Sequence, residues 1–167
     1  MLSKKMMNAL NKHLNAELYS WYLYLSMVSF FKDQNLEGFA NWMELQAEEE
    51  MMHSMKFYNY IIERRGSVTL DEIAKPEQTW KSTLKVFEFT MKHEQKVTAL
   101  IDDLVILARK EKDNPAEIFL QWFVTEQVEE ESNVDAVISR IKLAGDHPGA
   151  MFQLDTEMGK RIAAPQV

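Results

Sequence analysis

The sequence predicts an all-α fold: a four-helix bundle with one long crossover between helices two and three, plus a short fifth helix at the C-terminal end. Three observations carry this prediction. Apolar residues recur every three or four positions through four long segments. Most of the five Gly and four Pro fall at the breaks between those segments. One break, residues 66 to 81, has no helical period and is far longer than a tight helix–helix turn.

The first helix is expected from about Lys4 to Lys32, with Ser3 as N-cap and the Asp33–Asn35 stretch as its stop. The second is expected from about Glu37 to Arg65, ending on Gly66 as the glycine just past a helix end. The break that follows has 16 residues and contains Pro76. A helix of this length measures about 43 Å, and 16 extended residues reach about 50 Å. The segment can therefore run the length of the bundle, which makes helices two and three parallel and the other neighbours antiparallel. The third helix is expected from Thr83 to Lys112 with Ser82 as its cap. The fourth opens on Asn114–Pro115, a cap followed by proline at the first helical position, and ends near Ala144–Gly145. A fifth fits Ala150 to Arg161, after the His147–Pro148–Gly149 break. One domain is expected over residues 1–167, with the bundle over about 4–144 and the fifth helix over about 150–161.

Charge and composition narrow the function. The net charge of −7 argues against non-specific nucleic-acid binding and favours attraction of cations. With no Cys, disulfides, thiolate metal sites and thiol nucleophiles are excluded, and a reducing compartment is suited. The most apolar run, Leu18 to Phe31, is interrupted by Ser20, Ser26 and Ser29 and is too short to span a bilayer. It is not followed by a small-residue cleavage site. A cytoplasmic protein without membrane or nucleic-acid partners is expected.

The four apolar stripes are each interrupted by an acid. Helix one reads Leu10, Leu14, Glu17, Trp21, Tyr24, Val28, and helix two reads Phe39, Met43, Gln46, Glu50, His53, Phe57, Tyr60. Helix three reads Leu84, Phe87, Met91, Glu94, Thr98, Ile101, Val105, and helix four reads Leu120, Phe123, Gln127, Glu130, Val134, Val137, Ile141. Glu17 to Glu50 and Glu94 to Gln127 are both 33 residues apart, which supports a doubled helix pair. Burying an ionised carboxylate costs several kcal/mol unless a cation compensates it. On these stripes the one basic residue read from the sequence is His53, while His13, His93 and His147 read as surface residues. Two divalent metal ions would balance Glu17, Glu50, Glu94 and Glu130. Oxygen ligands with one imidazole suit Fe(II) or Zn(II). Tyr24 shares the face of Glu17 and reads either as a core aromatic or as a redox-active phenol beside the metals. A metal-free helical scaffold is the reading from another class, and it leaves the buried acids unexplained.

The runs NAELYSWYLYLSM, GFANWMELQAEEEMMH, KHEQKVT and FLQWFVTEQVEEE resemble the four signature segments of prokaryotic haem-free ferritins, and the resemblance covers essentially the whole chain. It implies a ferritin-like bundle that oxidises Fe(II) with O2 or H2O2 at an intrasubunit di-iron centre. It also implies storage of Fe(III) as a hydrous oxide mineral inside a shell of about 24 subunits. By position, Glu17, Glu50 and His53 resemble one iron site. Glu50, Glu94 and Glu130 resemble the second, with Glu50 bridging, Gln127 beside it and Tyr24 as the family's tyrosine. Glu49, Glu126 and Glu129, with Glu130, resemble a third iron site. Glu117 falls where many ferritins place a pore acid, while Leu120 departs from the second acid of some relatives. Bacterioferritin is the rival reading, since Met51 stands where that family places a haem ligand. Helix four, however, offers Gln127-x-x-Glu130 rather than a second Glu-x-x-His, so haem is not expected.

Overall fold

Five helices form along the chain: α1 Lys4–Asp33, α2 Glu37–Glu63, α3 Thr83–Glu111, α4 Asn114–Ala144 and α5 Pro148–Met158. The computed structural model describes residues 2–163, so residue 1 and residues 164–167 of the expected domain lie outside the described residues. There is no strand among the described residues, and no helix of theirs is long and apolar enough to cross a membrane.

Local chemistry explains most helix ends. The Ser3 hydroxyl accepts from the Met6 N–H at 3.0 Å and the Ser82 hydroxyl from the Lys85 N–H at 3.2 Å. Each such cap is worth about 1 kcal/mol. Helix α4 departs from expectation: its cap is Asp113, whose carboxylate accepts from the Ala116 N–H. Asn114 is already helical. Helix α2 stops two residues early, and the left-handed position is filled by Arg65 (φ 58°), not by Gly66. The Gly66 N–H then reaches back to the Ile61 carbonyl at 2.8 Å and the Arg65 N–H to Ile62. This six-residue closure satisfies carbonyls left open at the helix end. Glycine serves here for close approach instead, since a Cβ on Gly66 would stand 3.0 Å from both the Ile61 side chain and its carbonyl.

The crossover runs as predicted, and α1 is its track. Asn11 donates to the Ser67 carbonyl and accepts from the Thr69 N–H. One turn on, Asn15 donates to the Glu72 carbonyl, and Ser26 donates to Glu77 at 2.5 Å. Near the far end Phe30 packs on Trp80 at 5.4 Å. Asn11 to Phe30 is about 28 Å of helix at 1.5 Å per residue, so the chain returns along most of α1 before α3 begins.

Helix α5 docks on the start of α2. The α2 N-cap position, Leu36, offers no side-chain acceptor, and Asp155 of α5 supplies one, accepting from the Phe39 N–H at 2.9 Å. An anion there also complements the helix dipole. The approach requires Gly38, because a Cβ would meet the Asp155 carbonyl oxygen at 1.6 Å. Leu154 and Met158 are buried within the subunit, whereas Phe152 is 74% exposed. The helix also begins earlier than the sequence suggested, because His147 caps it by accepting from the Ala150 N–H at Nδ1, and it ends earlier, at Met158 with Gly159 as its C-cap.

The core is divided. One apolar cluster gathers residues such as Met27, Phe31, Phe39, Phe87 and Ile138. The other gathers Leu10, Phe57, Ile101, Leu120 and Phe123. Between the two lies a buried polar level that includes Glu17, Gln46, Glu50, His53, Glu94, Gln127 and Glu130.

Candidate metal centre

Each long helix contributes an acid to this level, and each of the four is essentially buried: Glu17 at 1%, Glu50 at 2%, Glu94 at 0% and Glu130 at 3% exposure. The helical steps place them there. On α2, Gln46, Glu50, His53 and Phe57 follow one inward face, and on α4, Phe123, Gln127 and Glu130 do the same. Ligand atoms of Glu17, Glu50 and His53 all lie within 4.8 Å of one another, a spacing that can hold a metal ion. Within that trio Glu50 Oε2 stands 3.4 Å from His53 Nδ1.

On the other side, Tyr24 donates a hydrogen bond to Glu94 Oε1. Gln127 Nε2 donates to Glu94 Oε2 at 3.2 Å, and Gln46 Nε2 donates to Glu130 Oε2 at 2.8 Å. Gln46 lies on the predicted stripe, four residues before Glu50, but was not read as a site residue. Its position alone was the available signal.

These donors are neutral, so the negative charge remains uncompensated. Glu17 Oε2 is buried and accepts no hydrogen bond among the described residues, and Glu50 Oε2 is buried with the His53 imidazole 3.4 Å away. Burial, then the charge of Glu17, raises Glu50 to about 8. Burial, then the charge of Glu50, raises Glu94 to about 8. Burial also raises Glu17, and it raises Glu130 well above the ordinary range with the help of Glu94. Burial alone would lower His53, but its hydrogen bond to Glu50 and the surrounding carboxylates lift it to about 10. Burial and Glu94 raise Tyr24. Without a cation the site holds protons in the neutral range. A divalent ion that displaces them meets bare oxygens and one imidazole, a donor set suited to Fe(II) or Zn(II).

The three flanking acids are arranged differently. Glu49 is nearly buried and pairs with Arg161 at 2.7 Å. Glu126 is half-buried, 3.9 Å from His53 Nε2. Glu129 is exposed. Arg161 lies just after α5, with its guanidinium 4.6 Å from the centre of the Trp42 ring. This pairing had no signal in the sequence, since 112 residues separate the partners.

Two histidines depart from expectation. His13 is 3% exposed rather than on the surface, and its Nε2 lies 2.8 Å from Glu17 Oε1. His93 is half-buried, with Nε2 2.8 Å from the Ser20 hydroxyl. His53 is therefore not the one basic side chain on the inward faces. His13 stands four residues before Glu17, a spacing that could have revealed it. His147 is exposed as expected.

A bundle whose four helices each bury a carboxylate at one level defines the ferritin-like class. Residues 7–144 match the family model described as Ferritin-like domain. The chain is 42% identical to a bacterial non-heme ferritin of Bacteroides fragilis over 161 residues, covering 96% of this chain and 100% of that one. It is 40% identical to a bacterial non-heme ferritin of Campylobacter jejuni over 155 residues, 93% of each chain. An engineered closed form of the Archaeoglobus fulgidus ferritin superposes with a TM-score of 0.97 at 44% identity, over 98% of this chain and 100% of that chain. The chain belongs to the ferritin-like domain family, among the bacterial non-heme ferritins.

Proposed function

We propose that this chain stores iron in the cytoplasm by oxidising Fe(II) inside its bundle and laying down Fe(III) as a hydrous oxide within a shell of about 24 copies. The observation that carries the reading is the convergence of Glu17, Glu50 and His53 within 4.8 Å, in a level holding four buried carboxylates without a matching cation. Glu17, Glu50 and His53 bind the first Fe(II). Glu50 bridges to a second held by Glu94 and Glu130, with Gln127 alongside. Glu49, Glu126 and Glu129, with Glu130, form a third site that iron enters by displacing Arg161 from Glu49. Haem has no part in this reading.

Each Fe(II) gives up one electron. A pair reduces one O2 to H2O2, or one H2O2 to two waters, and hydrolysis of the Fe(III) product returns more protons than that step consumes. The chain's contribution is to hold two Fe(II) close together and to supply carboxylates that favour the higher charge. Tyr24, hydrogen-bonded to Glu94, is placed to donate a further electron. Glu117, the pore-acid candidate, is paired with Arg109 at 2.7 Å, while Leu120 is buried in the core of the subunit.

The test is aerobic Fe(II) addition to the wild-type protein and to Glu50→Ala, followed at the ferric absorption, with particle mass by light scattering before and after loading. Wild type should oxidise iron well above the protein-free rate and form a large particle that gains mass. Glu50→Ala should assemble and lose the fast phase. Oxidation at the buffer rate, or a stable monomer or dimer, would overturn the reaction or the shell respectively.

A further inference from the structure

The metal-site reading leaves the buried His13 unused. His13 sits one turn before Glu17 on α1, with its Nε2 2.8 Å from Glu17 Oε1. Its ring packs against Phe57 of α2, centroids 4.5 Å apart and planes at 52°. Phe57 is itself fully buried, one turn beyond His53. The imidazole is therefore clamped between the two helices that carry Glu17, Glu50 and His53. Its other nitrogen, Nδ1, has no hydrogen-bond partner among the described residues, so Glu17 is the one polar group it serves.

Glu17 is engaged asymmetrically. Oε1 takes the imidazole, and Oε2 is buried and bare. A carboxylate on a helix can rotate about its last torsion and present either oxygen, or both, to a cation. A fixed donor on Oε1 removes that freedom and leaves Oε2 as the free oxygen. An Arg or Lys in its place would neutralise Glu17 and compete with the metal, whereas an imidazole N–H engages one oxygen and leaves the other bare.

We propose that His13 is a positioning residue for Glu17: its Nε2–H holds Oε1, so that Oε2 is presented to the metal shared with Glu50 and His53. The proposal rests on the reading of those three residues as a metal site. Donors behind metal-binding side chains fix orientation and basicity, and their removal typically weakens binding about 10–100-fold. His13 does not touch the metal, so its loss should raise the Fe(II) concentration needed for half-maximal oxidation more than it lowers the saturated rate.

The experiment uses full-length protein, with Co(II) as a spectroscopic probe under anaerobic conditions and calorimetric titration with Zn(II). His13→Phe keeps a ring against Phe57 and removes the donor. His13→Gln offers an amide N–H that can reach the same oxygen. Glu17→Ala serves as the reference. His13→Phe should weaken the tightest metal site about 10-fold or more and alter the Co(II) visible bands, while His13→Gln stays within about threefold of wild type. Equal affinity and unchanged bands in His13→Phe, with binding lost in Glu17→Ala, would overturn the role of His13 alone. If Glu17→Ala also binds normally, the site reading itself fails. Equal weakening by both His13 variants would mean a packing role and would likewise overturn the proposal. Particle size and apo-protein melting temperature identify a misfolded variant, in which case the His13→Gln spectrum against wild type decides.

Discussion

At His53, two opposing effects meet in one side chain. Burial favours the neutral ring, yet its hydrogen bond to Glu50 and the nearby acids hold a proton on it up to about 10. Glu50 and Glu94 hold theirs up to about 8. All three are raised in the folded chain, so their stabilising protons are lost as pH rises through those values. His13 and His93, lowered to about 4 by burial, act in the opposite sense, but only below about 6.5. Between pH 6.5 and 8 the metal-free protein should therefore lose stability, on the order of 1 kcal/mol per pH unit for each of these three protons. Saturating Zn(II) should reverse the trend, since metal binds the deprotonated carboxylates. Melting temperatures of apo and Zn-loaded protein at the two pH values check both signs. Arg161 offers a second residue-level test. Its part-buried pair with Glu49 must break before a metal can use that carboxylate, so Arg161→Gln should tighten the proposed third site, by roughly fivefold for each kcal/mol the pair is worth. The two tighter sites should be unchanged in the same Zn(II) titration. The four buried acids were legible because each broke an apolar stripe. Arg161 was not, because it meets Glu49 only through the docking of α5, and the one signal for His13 was its four-residue spacing to Glu17.

Among the elements, α2 and α4 have all their predicted stripe residues buried, whereas Trp21 in α1 and Leu84, Met91 and Thr98 in α3 are only partly buried. Helix α1 touches α2, α3 and the crossover, so Leu23 and Met27 are buried beside the predicted Tyr24 and Val28, and Trp21 is only half-buried. A single period cannot describe a helix with three neighbours. The end of α2 differs from expectation because an ordinary residue takes the left-handed conformation that glycine usually supplies, and the same happens after α1 and α3. Asn35, Arg65 and Lys112 all do so, with φ of 56 to 58°. Helix α5 is the element whose attachment is most open to test. Gly38→Ala would drive a methyl group into the Asp155 carbonyl and disturb the hydrogen bond to Phe39. Overpacking of this kind costs about 1–3 kcal/mol. The variant should keep nearly all its helical circular dichroism, melt several degrees lower, and be cut more readily by protease between α4 and α5. Wild-type melting and protease resistance would mean that α5 does not depend on this approach.

For the whole molecule, the tight pairings are α1 with α2 and α3 with α4, and the crossover joins the two pairs. Crossover length and position were readable from residues 66 to 81 alone, because chain reach is simple arithmetic. What sequence could not convey is that this topology divides the buried polar level in two. Glu17, Glu50 and His53 belong to the first hairpin, and Glu94, Gln127 and Glu130 to the second. The links between the halves at this level include Tyr24 to Glu94 and Gln46 to Glu130. Each hairpin can form from local contacts, and the acids converge only when the two close on each other. In kinetic terms, the electrostatic penalty then falls late, after the folding barrier, and so does the reward from metal. Bound ions should act as a latch on the finished bundle rather than as a nucleus for building it. Zn(II) at about one hundred times its dissociation constant stabilises by about 2.7 kcal/mol. That stabilisation should appear as unfolding slowed roughly a hundredfold in denaturant-jump experiments, with refolding nearly unchanged. Metal that accelerated refolding instead would place the meeting of the two hairpins before the barrier.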